Sequence, residues 1–175
     1  MRLKVISAFA LVLALAACSS TSNETATSQG SGAAAATRPA GPTPGSQEDL
    51  AASVGDRVFF GFDRSELTRE SQQVLNQQAA WLKRFPQARV TVQGHADERG
   101  TREYNLALGN RRAVAVQRYL VSQGIEAARV QTISYGKECP RAVGTGEAAW
   151  SQNRRSVTGV GAPSSGSTCP VAPFL

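Results

Sequence analysis

The groups best able to do chemistry lie in one stretch: Gly94-His95-Ala96-Asp97-Glu98-Arg99-Gly100, then Tyr104-Asn105-Leu106-Ala107-Leu108-Gly109-Asn110-Arg111-Arg112-Ala113. Arg89 to Ala96 alternates polar with small or apolar residues, a strand pattern, and Thr101 is a natural N-cap for a helix. Asp97 therefore falls just past a strand end, before a helix. Asn105 and Arg112 are seven positions apart, two helical turns, and so share a face. Long helical side chains lean toward their helix N-terminus, which lets Arg112 reach back toward the loop carrying Asp97. One carboxylate, one guanidinium and one amide then meet in a small cleft. Such a set complements a free amino-acid end: the carboxylate takes the ammonium, the guanidinium grips the carboxylate with two parallel bonds, and the amide orients it. By itself the spacing also fits an Asp97 that caps or pairs locally and an Arg112 that is a solvated helix charge.

A hydrolytic reading needs Asp97 and Glu98 as a paired acid and base, or His95, the only histidine. Adjacent side chains on a strand or turn diverge, and nothing in the sequence raises one carboxyl pKa. No GxSxG or comparable nucleophile motif is present, and no His, Cys or Glu set has metal-ligand spacing. His95 alternates with Thr91 and Gln93, which assigns it to the wetter sheet face as a structural hydrogen-bonding residue. No metal, cofactor or catalytic residue is expected, and hydrolysis is the minor alternative.

These residues need a scaffold, and 175 residues suffice for one domain with accessories. Val58-Phe59-Phe60-Gly61-Phe62 reads as a strand. Leu67, Val74, Leu75, Gln78, Leu82 and Phe85 recur at helical spacing behind the candidate cap Thr68, and Pro86 stops the pattern. In the helix after Thr101 the expected packing stripe is Leu106, Gly109, Ala113, Val116 and Leu120, ending at Gly124. Val130 to Tyr135 is a third strand, Glu147 to Trp150 a helical turn and Arg155 to Val160 a last strand. The order β-α-β-α-β-(α)-β implies an α/β (α+β) two-layer sandwich, with helices packed on one face of a mixed sheet. The formal net charge of +6 is scattered, without a basic run interleaved with aromatics, so nucleic acid is not an expected partner.

Residues 1–17 read as a lipoprotein signal peptide: Met1-Arg2-Leu3-Lys4 is cationic, and Val5 to Ala17 is apolar but shorter than a spanning helix. Leu15-Ala16-Ala17-Cys18 has small residues before a cysteine, so Cys18 is the expected lipidation site. Several acyl chains hold a membrane firmly where one does not, and Ser19 favours the outer membrane. Residues 18–49 read as the acylated Cys and a flexible Ser/Thr/Ala/Gly/Pro tether, residues 50–160 as the folded domain, and 161–175 as a low-structure tail. With Cys18 acylated, Cys139 and Cys169 remain as an even pair in a disulfide-permissive compartment, hence a disulfide candidate.

The motifs Gly94-His95-Ala96-Asp97-Glu98-Arg99-Gly100-Thr101, Tyr104-Asn105, Leu108-Gly109, Arg111-Arg112-Ala113, Ser134-Tyr135-Gly136-Lys137-Glu138 and Asn153-Arg154-Arg155 resemble the OmpA-like peptidoglycan-binding domain family over about residues 57–158. The lipobox and tether resemble the branch of that family belonging to the Tol–Pal system. The resemblance implies a non-enzymatic outer-membrane lipoprotein, facing the periplasm, that binds peptidoglycan non-covalently. It implies TolB and other Tol–Pal components as partners, with a role in envelope integrity and cell division. It also implies that Asp97 and Arg112 hold the amino and carboxylate groups of meso-diaminopimelate in the stem peptide. Asn105 then stands beside that site, Phe62 and Asp63 line it, Leu108 is a wall, and Arg155 or Arg154 is at the rim. Gly61 departs from the Asp, Asn or Thr of many relatives, and the strand after Arg155 is weaker than theirs. A module serving a secretion or motility machine is the other reading the domain allows.

Overall fold

The computed structural model describes residues 41–162 and Cys169. The signal peptide 1–17, the lipidation site Cys18, most of the tether and all but Gly161, Ala162 and Cys169 of the tail lie outside the described residues. The elements are helix α1 (Gln47–Ser53), strand β1 (Arg57–Phe59), α2 (Arg69–Arg84), β2 (Val90–His95), α3 (Arg102–Ser122), a short 3-10 turn (Ala127–Arg129), β3 (Val130–Gly136), α4 (Glu147–Asn153) and β4 (Arg155–Val160). Thr68 and Thr101 each accept the third amide of the helix that follows, Ser71 N and Tyr104 N, and so fix where α2 and α3 begin.

The sheet order is β1-β4-β2-β3. β4 runs antiparallel to both β1 and β2, while β2 and β3 are parallel, so the open sheet is mixed. The parallel pair is joined through α3, the kind of crossover that parallel neighbours need. Val90 and Val92 of β2 meet Leu75, Ala79 and Leu82 of α2 and Ala113, Val116 and Leu120 of α3 in one buried cluster. The protein is thus an α+β fold with helices laid on a mixed four-stranded sheet.

Three expectations shift. The folded body starts before residue 50: Ser46 caps α1, the Gln47 side chain bonds Val160 N at 2.7 Å, and Asp49 accepts from Gly45 N and Trp81 Nε1. These polar contacts tie down a segment whose small-residue composition resembles the tether before it. The first strand is shorter than Val58–Phe62; beyond Phe60, whose amide bonds Arg154 O, the chain turns through Asp63 at φ 55°. Leu106 is exposed, and the α3 stripe begins instead with Asn105 and Leu108, because the first turn faces the loops rather than the apolar core.

Candidate functional site

Two glycines set the distance between α3 and the sheet. A Cβ on Gly94 would lie 1.8 Å from Gly109 O, and one on Gly109 would lie 2.3 Å from Ser134 Oγ. With no side chains there, the start of α3 lies directly on the ends of β2 and β3. That brings Asn105, Leu108 and Arg112 up to the 61–64 turn and the Asp97 loop.

Arg112 is fully buried. Its guanidinium donates to Arg64 O at 2.8 Å, His95 O at 2.7 Å and Gly61 O at 3.1 Å. Two of the five N–H groups of a guanidinium are left for a ligand. No carboxylate among the described residues forms an ion pair with it. Burial pushes its pKa down to about 10, which still leaves it a cation at neutral pH, and Asp97 nearby opposes that fall.

Asp97 is 5% exposed. Its Oδ1 accepts from Arg99 N at 3.2 Å and Arg99 Nε at 3.1 Å; its Oδ2 accepts from an Arg99 amino group at 2.6 Å and from Arg154 at 3.4 Å. Burial pushes this carboxyl up, but the Arg99 hydrogen bonds and charge pull harder, and it ends below its ordinary value. Asn105 Nδ2 donates to Arg99 O at 2.7 Å, and Lys137 Nζ to Gly100 O at 2.7 Å, so the loop backbone is held from both sides.

Phe62, Asp63, Asp97, Arg99, Gly100, Tyr104, Asn105, Leu108 and Arg112 line one hollow of about 170 Å³. Its formal charges are two carboxylates and two guanidinium groups, so it is neutral overall yet strongly divided. Tyr104 Oη donates to Asp63 Oδ1 and braces the far wall. Six of the residues proposed from sequence meet here: Asp97, Arg112, Asn105, Phe62, Asp63 and Leu108. Arg155 does not. Side-chain alternation along β4 turns it away from the helix face, where it donates to Cys139 O at 3.3 Å and Asn153 O at 3.5 Å. Its neighbour Arg154 takes the place at the rim, bonding Phe60 O, Asp97 and Glu147.

Sequence reasoning missed Arg99, Gly100 and Tyr104 as lining residues. A cation two positions after a loop Asp is a local signal for Arg99, since an Asp side chain commonly bonds the backbone two residues on. His95 also differs from expectation. It is buried, its ring stacks on Tyr135 with centroids 5.4 Å apart, and neither ring nitrogen has a partner among the described residues. Burial, with the Arg155 charge adding to it, pushes its pKa down to about 3, so it is neutral and apart from the hollow. Glu98 accepts from Trp150 Nε1 at 3.0 Å instead of pairing with Asp97. Asp97, held below its ordinary value, is not the raised carboxyl that general-acid catalysis at neutral pH demands. A disulfide joins Cys139 to Cys169, with Cα atoms 5.3 Å apart.

The OmpA family model matches residues 59–154. A peptidoglycan-associated lipoprotein of Agrobacterium fabrum is 58% identical over 119 residues, covering 68% of this chain and 67% of that one. One from Haemophilus influenzae is 52% identical over 100 residues, 57% of this chain and 65% of that one. Among solved structures, the peptidoglycan-associated lipoprotein from Burkholderia pseudomallei is 45% identical with a TM-score of 0.59, covering 61% of this chain and 90% of that chain. The C-terminal domain of Helicobacter pylori MotB, at 18% identity and a TM-score of 0.57, covers 62% of this chain and 86% of that one and shares the fold alone.

Proposed function

Since the chain belongs to the OmpA family, we propose that it is a non-enzymatic outer-membrane lipoprotein that holds peptidoglycan through the meso-diaminopimelate of the stem peptide. The reading rests on one observation above all: Asp97 and Arg112 border the same hollow. A diaminopimelate side chain ends in a carbon that carries both an ammonium and a carboxylate. Asp97 takes the ammonium. Arg112, a buried cation without a carboxylate partner, takes the carboxylate through its two remaining N–H groups. Leu108 and Phe62 pack against the methylene chain between the two α-carbons of the diaminopimelate.

At the other end, Cys18 carries the acyl chains that anchor the protein in the outer membrane, facing the periplasm. Residues from Ser19 to the start of α1 span the distance to the wall. TolB and other Tol–Pal components engage the same domain, so that the link between the envelope layers can be made and released during division. Relatives at 52–58% identity named peptidoglycan-associated lipoproteins support this reading. The test is co-sedimentation with purified sacculi. Asp97→Asn should abolish it while the circular dichroism spectrum stays that of the wild type. Full retention of binding by that folded variant would remove the site assignment. Release of soluble muropeptides during the same incubation would instead favour a wall-cleaving enzyme.

A further inference from the structure

Asp97 is already occupied. Two guanidinium groups reach its carboxylate, and they differ in their freedom to leave. The Arg154 side chain is only 7% exposed and is held by Phe60 O and Glu147 as well. The Arg99 side chain is 31% exposed, and its guanidinium bonds no acceptor other than Asp97 among the described residues. Its flat group sits between two aromatic rings, with the guanidinium carbon 3.9 Å from the centroid of Phe62 and 3.9 Å from that of Trp150. Trp150 is itself fixed by its bond to Glu98, and the Arg99 backbone by Asn105. Of the two cations on Asp97, Arg99 is therefore the more exposed and the less bonded elsewhere, while its backbone is held in place.

We propose that Arg99 is a resident counter-cation that occupies Asp97 until a ligand ammonium displaces it, and so sets the threshold that every ammonium ligand of the hollow must clear. The inference rests on the diaminopimelate reading above. A ligand with an ammonium alone exchanges one cation for another at Asp97. It gives up a two-bond guanidinium fork for a compact point charge, and it leaves Arg112 without an anion. A zwitterionic carbon performs the same exchange and also supplies Arg112 with the carboxylate that it lacks. The second contact decides the outcome, so Arg99 raises the threshold that every simple amine must clear. Arg99 thus acts through competition for Asp97 rather than as a wall of the pocket, and only a ligand with the second contact at Arg112 binds appreciably against it.

The test is calorimetric titration of the soluble 41–175 domain with two tripeptides, L-alanyl-γ-D-glutamyl-meso-diaminopimelate and its counterpart ending in L-lysine. In the wild type the diaminopimelate peptide should bind at least tenfold more tightly. In Arg99→Gln both peptides should gain affinity by a similar factor, about tenfold, while the ratio between them, set by Arg112, stays the same. The Arg99 Nε–H resonance of the wild type, followed by NMR, should move on adding the diaminopimelate peptide, and the Trp150 indole resonance with it. Tight binding with an unmoved Arg99 resonance overturns the exchange and leaves the binding reading intact. An unchanged or weakened affinity of both peptides in Arg99→Gln also overturns it and makes Arg99 an ordinary contact. Failure of the wild-type domain to bind either peptide removes the diaminopimelate reading and the exchange together.

Discussion

Asp97 and Arg112 border one hollow but form no ion pair with each other. Arg112 spends three hydrogen bonds on the carbonyls of Arg64, His95 and Gly61, while Asp97 takes its cations from Arg99 and Arg154. The carbonyls fix the guanidinium without neutralising it. A buried charge without an ion-pair partner of its own is costly for the fold, Asp97 nearby offsets only part of that cost, and an anion bound to the guanidinium relieves it further.

Arg112→Lys tests that relief directly. A lysine keeps the charge but cannot hold three carbonyls and also grip a carboxylate with a fork. Affinity for the diaminopimelate tripeptide should fall by about 2 kcal/mol, roughly thirtyfold. Calorimetric titration reads the loss, and a thermal melt confirms that the variant is folded. An unchanged affinity would mean that the fork is not used.

His95 predicts how stability depends on pH. Its pKa in the fold is about 3, against 6.5 in an unfolded chain. Between those values the unfolded chain binds a proton that the folded one refuses, so stability rises with pH up to about 6.5 and is lost as pH falls toward 3. At pH 4 the loss from this residue is on the order of 3 kcal/mol. Urea midpoints measured from pH 4 to 7 should show the slope, and His95→Gln should flatten it. Asp97, whose pKa is lowered, adds a loss in the same direction only below the ordinary carboxylate range.

Gly94→Ala should be among the most damaging single substitutions. A methyl group there meets Gly109 O at 1.8 Å, a backbone atom that cannot step aside. Separating α3 from β2 should cost on the order of 3 kcal/mol and should also open the hollow, because Asn105 and Arg112 move with the helix. Chemical denaturation and sacculus binding should fall together. Gly41→Ala, where a Cβ meets nothing within 4 Å and the backbone is not in the left-handed region, keeps both stability and binding.

The Cys139–Cys169 disulfide closes a separation of 30 residues that includes α4 and β4. In the chain-entropy treatment such a loop stabilises by about 3–4 kcal/mol. Reducing agent should lower the urea midpoint accordingly, and a Cys139→Ser, Cys169→Ser double variant should be insensitive to it. Affinity for the diaminopimelate tripeptide should stay the same, since neither cysteine lines the hollow.

Periodicity and caps carried the elements on their own. Thr68 and Thr101 start α2 and α3 because their hydroxyls satisfy amides a few residues away, a purely local matter. The same local logic placed Asp97 between strand and helix and put Asn105 and Arg112 on one face. Folding alone decided the rest, because it depends on contacts far apart in sequence. α1 is held by Gln47 and Asp49 reaching Val160 and Trp81, and nothing near residue 47 announces those partners. The expected bounds of β4 are the observed ones, yet Arg154 rather than Arg155 reaches Asp97, because which of two adjacent side chains turns toward the helices is set by how the sheet packs against them. His95 is buried through its stacking on Tyr135, a neighbour that only the pairing of β2 with β3 supplies. Above all, residue types and spacing put a carboxylate near a guanidinium. Only the tertiary structure settled that Arg112 spends its bonds on carbonyls and Asp97 on Arg99, since the choice among competing partners belongs to the packed whole.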